Sequence, residues 1–550
     1  MTSRPWLKSY PEGMSWNAPL KLTALTALLA DAVRQWPQRT ALRQDALVLS
    51  YAELAQHVRR VAGGLRELGV QPGVHVGLYL PNVPQYIVAF FAVLQAGGTV
   101  VNYSPLDAGQ TLRHKVEDSQ TRLMITFDAP ELLSKMEAIA GEGTLQTLVV
   151  ARADDFSADV PSVAPVQAAA RVPFSTLLAA APLAQPHVPS DIQTAIAVLQ
   201  YTGGTTGQPK GAMLSHANLS AAVSQVWHTL VASGTLEEGE ERFLAVLPLF
   251  HIYALVVNML FGLSIGAELS LHQRFDLEAT LREFVQRKTT VFLGVPTMYV
   301  AFTGHPDIGK LDLSSLKFCN SGGAPIAAEV YQAFVRMAQC RLQEGWGMTE
   351  TCTMATASPG FSHYRPGSCG IPVPGVDVKV IDLKDQHDLP EGEHGELCIR
   401  GPNVMAGYWN RPEATAESMT ADGYLRTGDV GYMTPDGFVY IVDRTKDMLI
   451  CGGFNVYPRN IEEAIHRHPS VEEVIVIGIP DAYRGQSPKA FIKFKPGAAR
   501  PTLDELKTFL ADYLGKHEML QAMEAREELP RTAVGKLSKK DLQAELAGSA

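Results

Sequence analysis

The chain has 550 residues, of which 46% are hydrophobic and 19% charged, and its formal net charge is −10. Two or more domains are expected from this length, and the composition is typical of globular proteins rather than of disordered chains. The acidic balance argues against a dedicated nucleic-acid binder, because no surplus of lysine and arginine is available to neutralise phosphates.

Cysteine usage and apolar stretches indicate the compartment. The six cysteines are scattered, with no CxxC pair, so neither a disulfide framework nor a zinc site is expected. The first twenty residues contain no apolar run typical of a secretory signal. The apolar stretches at residues 86–101 and 243–271 are too short or too interrupted to span a bilayer and predict buried helices and strands. Together these features predict a cytoplasmic protein.

The N-terminal part alternates between strand and helix patterns. The predicted elements are a strand at 74–80, a helix at 84–96, a strand at 99–102, a helix at 108–119 and a strand at 122–127. Such alternation is typical of βαβ units and predicts a mainly parallel sheet. Residues 153–190 are rich in Ala, Pro and Val without periodicity, and they predict an irregular connection.

The same rhythm resumes later and then changes. Further predicted elements are a strand at 194–200, a helix from His216, strands at 290–293 and 316–320, a helix at 326–338 and a strand at 341–343. After Pro366 short strands and turns dominate, with a hairpin around residues 434–437 (TPDG). A compact unit follows, with helices at 461–467 and from Thr502 and strands at 474–479 and 490–494.

These patterns predict an α/β fold in two domains. Residues 1–443 are expected to form a large N-terminal domain of parallel-sheet α/β subdomains plus a β-rich subdomain. Residues 444–550 are expected to form a small α+β C-terminal domain.

The most informative segment is residues 201–211, YTGGTTGQPKG, between a predicted strand and a predicted helix. Its glycines let backbone N–H groups converge on phosphate oxygens, while threonine hydroxyls and Lys210 add contacts. It is not a Walker A motif, because Pro209 precedes Lys210 and Gly211 follows it. A different phosphate-binding loop is predicted, with the candidate residues Thr202, Gly203, Gly204, Thr205, Thr206, Gly207 and Lys210.

Six more motifs follow in order. They are LPLFH at 247–251, SGGAP at 321–325, EGWGMTE at 344–350, YLRTGD at 424–429, DRTKD at 443–447 and PRTAVGK at 530–536. With the loop, they resemble the adenylate-forming superfamily, and most of all bacterial long-chain fatty acid–CoA ligases. The resemblance implies that ATP and a carboxylate form an acyl-adenylate, which coenzyme A then converts to a thioester with release of AMP.

The resemblance implies a role for individual nucleotide-site residues. Glu350 would bind Mg²⁺ and Thr349 would lie by the α-phosphate. Asp429 would accept hydrogen bonds from the ribose, with Arg444 nearby. Trp346 would face adenine, where relatives often carry tyrosine. The other implied nucleotide contacts are Gly323, Ala324, Pro325, Glu344 and Gly345.

The resemblance also implies a moving C-terminal domain. Lys536 would bridge the carboxylate and the α-phosphate during adenylation, and Lys446 would be the hinge. Rotation would then bring Gly452, Gly453 and Phe454 to the coenzyme A tunnel. His251 is either a gate at the acyl pocket or an ordinary core histidine. The implied acyl pocket comprises Tyr253, Val256, Gly322 and Gly347.

Several alternatives stay open. An aryl-CoA ligase and an acyl-AMP ligase that loads a carrier protein are enzymatic alternatives, while intact Lys536, Glu350 and Asp429 disfavour a non-catalytic fatty-acid binding protein. Residues 517–521 (HEMLQ) replace a segment with lysine and proline in many relatives, which bears on the thioester step. A homodimer and peripheral contact with the inner membrane, where a long-chain acid partitions, are further open alternatives.

Overall fold

The computed structural model describes residues 4–140, 143–157, 170–202, 209–359, 365–451, 454–481, 483–531 and 537–548. Contacts divide the chain into two compact units, Met1–Asp377 with Arg400–Gly423 and Val378–Ile399 with Tyr424–Ala550. The predicted boundary at residue 443 lies inside the second unit, so the division into residues 1–443 and 444–550 stays a prediction.

The first unit contains a mainly parallel sheet built from the predicted βαβ elements. Among the described residues its strand order is Ala170–Pro173, Thr147–Ala151, Leu123–Phe127, His75–Tyr79, Thr99–Asn102, Ile196–Tyr201 and Gly211–Ser215. His75–Tyr79 pairs in parallel with both of its neighbours, whereas the last two strands are antiparallel. The three strands predicted before residue 130 are confirmed.

A second sheet of the same unit carries most of the later motifs. Its order in the described chain is Ile371–Pro372, Thr356–Ala357, Arg341–Trp346, Phe318–Ser321, Val291–Gly294, Arg242–Ala245, Glu268–Leu271, Thr40–Gln44 and Leu47–Ser50. The strands from Arg341–Trp346 to Glu268–Leu271 run parallel to one another. Parallel strands buried on both faces need covering helices, which explains their apolar sequences.

Helices of the first unit cover these two sheets. They are Leu25–Gln35, Tyr51–Glu67, Pro84–Gln95, Gly109–Ser119, Pro130–Glu137, Phe174–Ala179, His216–Leu230, Gly262–Ser264, Leu277–Gln286, Pro296–Thr303, Ala328–Ala338 and Pro412–Glu417. Short 3₁₀ turns occur at Pro5–Ser9, Ile308–Lys310 and Thr349–Thr351, and Ala254–Phe261 is a π-helix with every residue buried.

The expectation of an irregular connection at residues 153–190 is wrong in part. Ala170–Pro173 forms an edge strand and Phe174–Ala179 a helix whose Phe174 and Leu177 are buried. The helix has six residues and the strand four. Both are too short to show a clear hydrophobic period in the sequence.

The second unit consists of two further sheets and three helices in the described residues. One sheet has the order Asp377–Ile381, Gly395–Arg400, Leu425–Met433 and Val439–Arg444; the last two strands form the predicted hairpin. The other contains Phe454–Val456, Leu449–Cys451, Gly485–Phe494 and Val471–Asp481, with Ala522–Ala525 parallel to Gly485–Phe494. The helices are Pro458–His466, Leu503–Leu510 and Lys539–Gly548.

Local sequence signals in the second unit have the expected structural results. Thr502 caps Leu503–Leu510 through a capping box with Glu505, as predicted. Leu506 and Leu510 from that helix share one apolar core with Ile461 and Ile465. Across all described residues of the chain, no helix combines the length and the apolar character needed to cross a membrane.

Candidate active site

The predicted motifs of the first unit lie where parallel strands end. Thr202 follows Ile196–Tyr201, Gly322 follows Phe318–Ser321 and Gly347 follows Arg341–Trp346. Ligands of α/β proteins bind at the carboxyl ends of the strands, because helix N-termini and loops converge there. The fold therefore assembles a candidate site from segments far apart in sequence.

Both ends of the predicted phosphate loop are fixed by backbone and side-chain contacts. Thr202 N donates to Lys210 O at 2.9 Å, and Tyr201 pairs with Gly211 across the two strands. The Tyr201 hydroxyl donates to Asp118 Oδ2 at 2.7 Å. The predicted residues within the loop lie outside the described residues: Gly203, Gly204, Thr205, Thr206 and Gly207.

Lys210 and Glu350 are brought to a common neighbour, Tyr408. The Lys210 ammonium lies 5.0 Å from the centre of the Tyr408 ring, and the Tyr408 hydroxyl donates to Glu350 Oε1 at 2.7 Å. Burial, and then the charge of Glu350, raises the pKa of the Tyr408 phenol well above its usual range. Tyr408 therefore stays a hydrogen-bond donor that orients the carboxylate.

The chemistry at Glu350 suits a magnesium ion. The side chain is buried on the turn Thr349–Thr351, and the backbone of this turn is anchored where Met405 N donates to Glu350 O at 2.8 Å. Mg²⁺ in proteins commonly uses one or two carboxylates together with substrate phosphates. One oriented carboxylate in the same unit as a phosphate loop fits that donor set.

Residues 344–346 end the strand Arg341–Trp346, which leads into the turn Thr349–Thr351. Trp346 is buried, and its carbonyl accepts a hydrogen bond from Ala355 N at 2.8 Å. Ile326 N approaches Glu344 Oε1 at 3.4 Å. Gly323, Ala324 and Pro325 are exposed, with Gly323 at a φ of +83°, so this loop presents backbone to a ligand.

Of the residues implied for the acyl pocket, Gly322 lies against Tyr253. The Tyr253 hydroxyl donates to the side-chain oxygen of Asn320, and a Cβ added at Gly322 would lie 2.8 Å from ring carbon Cε1 of Tyr253. Burial raises the pKa of the Tyr253 phenol, which keeps it neutral. Val256 lies fully buried in the π-helix. Widened helical turns of this kind are frequent at functional sites.

His251 and Gly347 each contact residues that are close to them in sequence. His251 Nδ1 lies 3.3 Å from Tyr253 N, within its own turn. A Cβ added at Gly347 would lie 1.5 Å from Thr353 O, so no side chain fits at this position without moving the backbone.

A set of buried amides, missed by sequence reasoning, holds the segment 247–250. Asn82 Nδ2 donates to Leu247 O at 2.9 Å and to Ala245 O at 3.2 Å. Its Oδ1 accepts from Leu249 N at 2.8 Å. Gln200 Nε2 donates to Phe250 O at 2.8 Å. No local signal marks Asn82, because its partners lie more than 160 residues away.

In the second unit, Asp429 and Arg444 are brought together as expected. They are opposite each other on paired strands, with Arg444 Nε 3.0 Å from Asp429 Oδ1. Asp429 is buried, while Arg444 is half exposed. Lys446 follows on the exposed surface, and Lys536 lies outside the described residues.

Phe454 begins the strand Phe454–Val456 and is 61% exposed. Its ring centre is 5.2 Å from that of His517, and His517 O accepts a hydrogen bond from the Arg484 guanidinium. The altered segment 517–521 therefore touches the residue implied for coenzyme A. Gly452 and Gly453 lie outside the described residues.

A predicted phosphate loop, a buried carboxylate and loops at strand ends are together typical of an α/β nucleotide-binding enzyme. The model of the AMP-binding enzyme family matches residues 29–409, and that of the AMP-binding enzyme C-terminal domain matches residues 460–536. The chain belongs to the AMP-binding enzyme family.

Named relatives agree with this membership over nearly the whole chain. A long-chain-fatty-acid–CoA ligase of Bacillus subtilis is 35% identical, over 98% of this chain and 98% of its own length. A feruloyl-CoA synthase of Amycolatopsis is 36% identical, over 93% and 96%. O-succinylbenzoate coenzyme A synthetase of Bacillus subtilis, solved with ATP and magnesium ion, superposes with a TM-score of 0.78 at 27% identity, over 94% and 99%. The predicted family, fold class and class of enzyme are confirmed.

Proposed function

We propose that the protein is an ATP-dependent fatty acid–CoA ligase that works in two steps through an acyl-adenylate. The observation that carries this proposal is the Lys210–Tyr408–Glu350 arrangement, which joins the end of a phosphate loop to an oriented carboxylate. The fatty acid and coenzyme A are proposed as substrates because long-chain-fatty-acid–CoA ligases recur among the relatives.

In the first step a carboxylate oxygen attacks the α-phosphorus of ATP. The new O–P bond forms as the bond to the β-phosphate oxygen breaks, and pyrophosphate leaves. Thr202 and Lys210, with Thr205 and Thr206, hold the β- and γ-phosphates, and Thr349 lies at the α-phosphate. Both reactants are anionic, so catalysis depends mainly on positioning and on cations at the reacting oxygens.

The remaining nucleotide contacts orient the adenosine. Trp346 and the exposed loop Gly323–Pro325 contact the adenine. Asp429, with Arg444 beside it, accepts hydrogen bonds from the ribose. Glu350 would hold Mg²⁺, which would supply positive charge at the phosphates. Lys536 supplies the second positive charge, on the carboxylate and the α-phosphate.

In the second step the coenzyme A thiol attacks the acyl carbonyl of the adenylate. The C–S bond forms, the C–O bond to AMP breaks, and the thiol proton leaves to solvent or a nearby base. We assign Phe454, with Gly452 and Gly453, to the coenzyme A path, and Lys446 to the hinge between two positions of the C-terminal domain. The exposed Phe454 ring supports this assignment, because a large exposed aromatic ring is a common ligand contact.

The acid is assigned as medium- or long-chain and aliphatic. Val256 and the buried π-helix give the segment after His251 an apolar character, and Gly322 lies against the ring of Tyr253. An aryl-CoA ligase is the second candidate, favoured by the 36% identity to a feruloyl-CoA synthase.

The test is a matched panel of acids with Mg²⁺, ATP and coenzyme A. Acids from acetate to oleate, with ferulate and 4-coumarate, are compared by mass spectrometry of AMP, adenylate and thioester. We expect acyl-CoA to peak with medium- or long-chain aliphatic acids, because apolar pockets bind ligands mainly through buried apolar surface.

Each other outcome identifies a different protein. A peak with ferulate or 4-coumarate would replace the aliphatic assignment by the aryl one. Adenylate without thioester would point to an acyl-AMP ligase that loads a carrier. If no acid gave AMP or adenylate while acid binding persisted, the enzyme assignment itself would be wrong.

A further inference from the structure

Tyr408 lies beside the last strand of the first sheet, Gly211–Ser215, and is paired antiparallel with Ala212 of that strand. Its two neighbours in the chain are hydrogen-bonded to the same strand, one through its carbonyl and one through its N–H, each at 2.8 Å. In an antiparallel pair of this kind, the N–H and C=O of the central residue point away from the partner strand. The backbone N–H of Tyr408 can therefore bond only to a group on the outer side.

The side chain of Thr415 supplies that group. Its Oγ1 accepts a hydrogen bond from Tyr408 N at 2.9 Å and donates one to Arg411 O at 2.9 Å. Its methyl group packs against Gly407, because a Cβ added there would lie 2.7 Å from Thr415 Cγ2. The backbone that carries Tyr408 is thus held by the strand on one side and by Thr415 on the other.

The ring of Tyr408 extends from this backbone to the carboxylate assigned to Mg²⁺. Its hydroxyl donates to Glu350 Oε1 at 2.7 Å, and the Lys210 ammonium lies 5.0 Å from the ring centre. A tyrosine side chain has only two rotatable bonds, so a shift of its backbone is passed on to the hydroxyl. The direction of the Glu350 carboxylate therefore depends on how firmly the Tyr408 backbone is held.

We propose that Thr415 is a positioning residue for adenylation. By holding the Tyr408 backbone from its outer side, the Thr415 hydroxyl fixes the direction in which the Glu350 carboxylate faces Mg²⁺. The proposal rests on the metal role proposed above for Glu350. It adds a residue that acts through Tyr408, one contact further from the metal than the phenol itself.

The test uses substitutions that separate the hydroxyl from the shape of the side chain. Thr415→Val removes both hydrogen bonds at nearly constant volume, whereas Thr415→Ser keeps the hydroxyl and loses only the methyl group. Thr290→Val is the matched control, because Thr290 Oγ1 also accepts from a backbone N–H of the first unit, that of Arg242, at 2.8 Å. Thr290 lies at the amino end of strand Val291–Gly294, whereas the candidate site lies at the carboxyl ends of the strands.

Two measurements are made on the full-length protein. Hydrogen exchange of the ligand-free protein, followed by mass spectrometry on peptides that cover residues 404–412, reports how firmly the backbone around Tyr408 is held. Pyrophosphate release at saturating ATP and acid is then titrated with Mg²⁺. The concentration of Mg²⁺ for half-maximal release reports how well Glu350 is presented to the metal.

We expect Thr415→Val to speed exchange in these peptides and to raise the half-maximal Mg²⁺ concentration about threefold. Loss of a direct outer partner costs about 10- to 100-fold, and Thr415 acts one contact further away. Thr415→Ser should stay within about twofold of wild type, because the acceptor is kept, and Thr290→Val should change neither measurement. If Thr415→Val does not fold, Thr415→Ala should show the same pattern, because it also lacks the hydroxyl.

A double variant tests the route of the effect. In the Tyr408→Phe background, Thr415→Val should cause no further rise in the half-maximal Mg²⁺ concentration, because changes that act through one contact are not additive. A full further rise would overturn the inference, since Thr415 would then act by another route.

Three other results would also overturn the inference. Unchanged exchange in Thr415→Val would mean that the hydroxyl does not hold the segment. Faster exchange with unchanged Mg²⁺ dependence, while Tyr408→Phe alters that dependence, would mean that Tyr408 is positioned without Thr415. Unchanged Mg²⁺ dependence in Glu350→Gln would instead refute the metal role of Glu350 itself, and the positioning role would fall with it even if exchange were faster.

Discussion

The two units hold their functional segments by different kinds of contact. In the first, neutral amides of Asn82 and Gln200 bind the backbone of residues 245–250. In the second, the buried carboxylate of Glu396 accepts from Gly428 N at 3.0 Å, next to Asp429, and pairs with Arg426 at 2.7 Å.

The difference indicates what each unit is sensitive to. Neutral hydrogen bonds respond to the loss of a donor or acceptor and little to salt or pH. Paired carboxylates respond to the loss of a charge, and buried pairs are screened less than exposed ones. The first unit should therefore fail through hydrogen-bond deletions, and the second through charge deletions.

The largest expected effect is a charge deletion in the second unit. Lys536→Ala should lower the rate of adenylation by about 10²–10³-fold, or about 3–4 kcal/mol, because one stabiliser of developing charge is lost. Pyrophosphate release under saturating substrate measures it. Lys540→Ala, an exposed lysine four residues later, is the control. A loss in both variants alike would argue against a specific role.

The next effect is a donor deletion in the first unit. Asn82→Ala removes three hydrogen bonds, each contributing about 1 kcal/mol, so about 3 kcal/mol of stability should be lost. A lower melting temperature, with both half-reactions reduced together, would be the signature. The exposed Asn17→Ala should change little. A selective loss of one half-reaction would contradict the shared amide support.

A third effect concerns an imidazole that burial keeps neutral in the first unit. Burial, and then the nearby His187, lowers the pKa of His216 from 6.5 to about 4, and its Nδ1 accepts from Leu25 N at 3.2 Å. The unfolded chain takes up a proton below pH 6.5 that the folded chain refuses until about pH 4. The contribution of neutral His216 to the free energy of unfolding is therefore complete above pH 6.5. This contribution is lost as the pH falls from 6.5 toward 4, and the loss is about 2 kcal/mol at pH 5.

His216→Asn keeps an acceptor but does not titrate in this range. Its melting temperature should fall less steeply than that of wild type between pH 7 and pH 5, as followed by calorimetry. Identical slopes for the two proteins would show that His216 does not contribute to acid sensitivity.

The smallest effect addresses a charged contact of the first unit, the hydrogen bond from Tyr408 to the Glu350 carboxylate. Tyr408→Phe removes the hydrogen bond to Glu350, and loss of such an outer partner typically weakens metal binding 10- to 100-fold. We expect the Mg²⁺ concentration for half-maximal pyrophosphate release to rise about tenfold, near the lower end of that range. Tyr10→Phe, which loses a 2.6 Å hydrogen bond to Pro372 O, should leave the Mg²⁺ dependence unchanged.

The sequence predicts segments whose signal is local. The run around Lys210 marks a phosphate loop because its residues act within one turn, and Thr502 with Glu505 marks a helix start for the same reason. Asp429 and Arg444 lie just beyond the hairpin strands predicted at residues 430–433 and 438–442, so the hairpin predicts that the two residues are near each other. Their direct pairing also depends on a register shift between Val430 and Gly431, which the sequence does not show.

Other contacts leave no local trace. Tyr408 and Glu350 are separated by 58 residues. Lys539 and Glu462 lie on two different helices and meet only because both helices pack on strand Val471–Asp481. The π-helix Ala254–Phe261 is apolar on every side, so the sequence has no period from which its wider turn could be inferred. These features depend on tertiary packing, which a single sequence does not display.

The close approach of Gly322 to Tyr253 also restricts the order in which these two positions can change during evolution. A larger residue at position 322 would meet ring carbons at 2.8 and 3.0 Å, so it is tolerated only after Tyr253 has become smaller. The reverse order first opens a void, which costs stability but leaves the backbone in place. Divergence toward acids of another shape would therefore proceed through position 253 first, and libraries that vary one position at a time would reject pairs that work together.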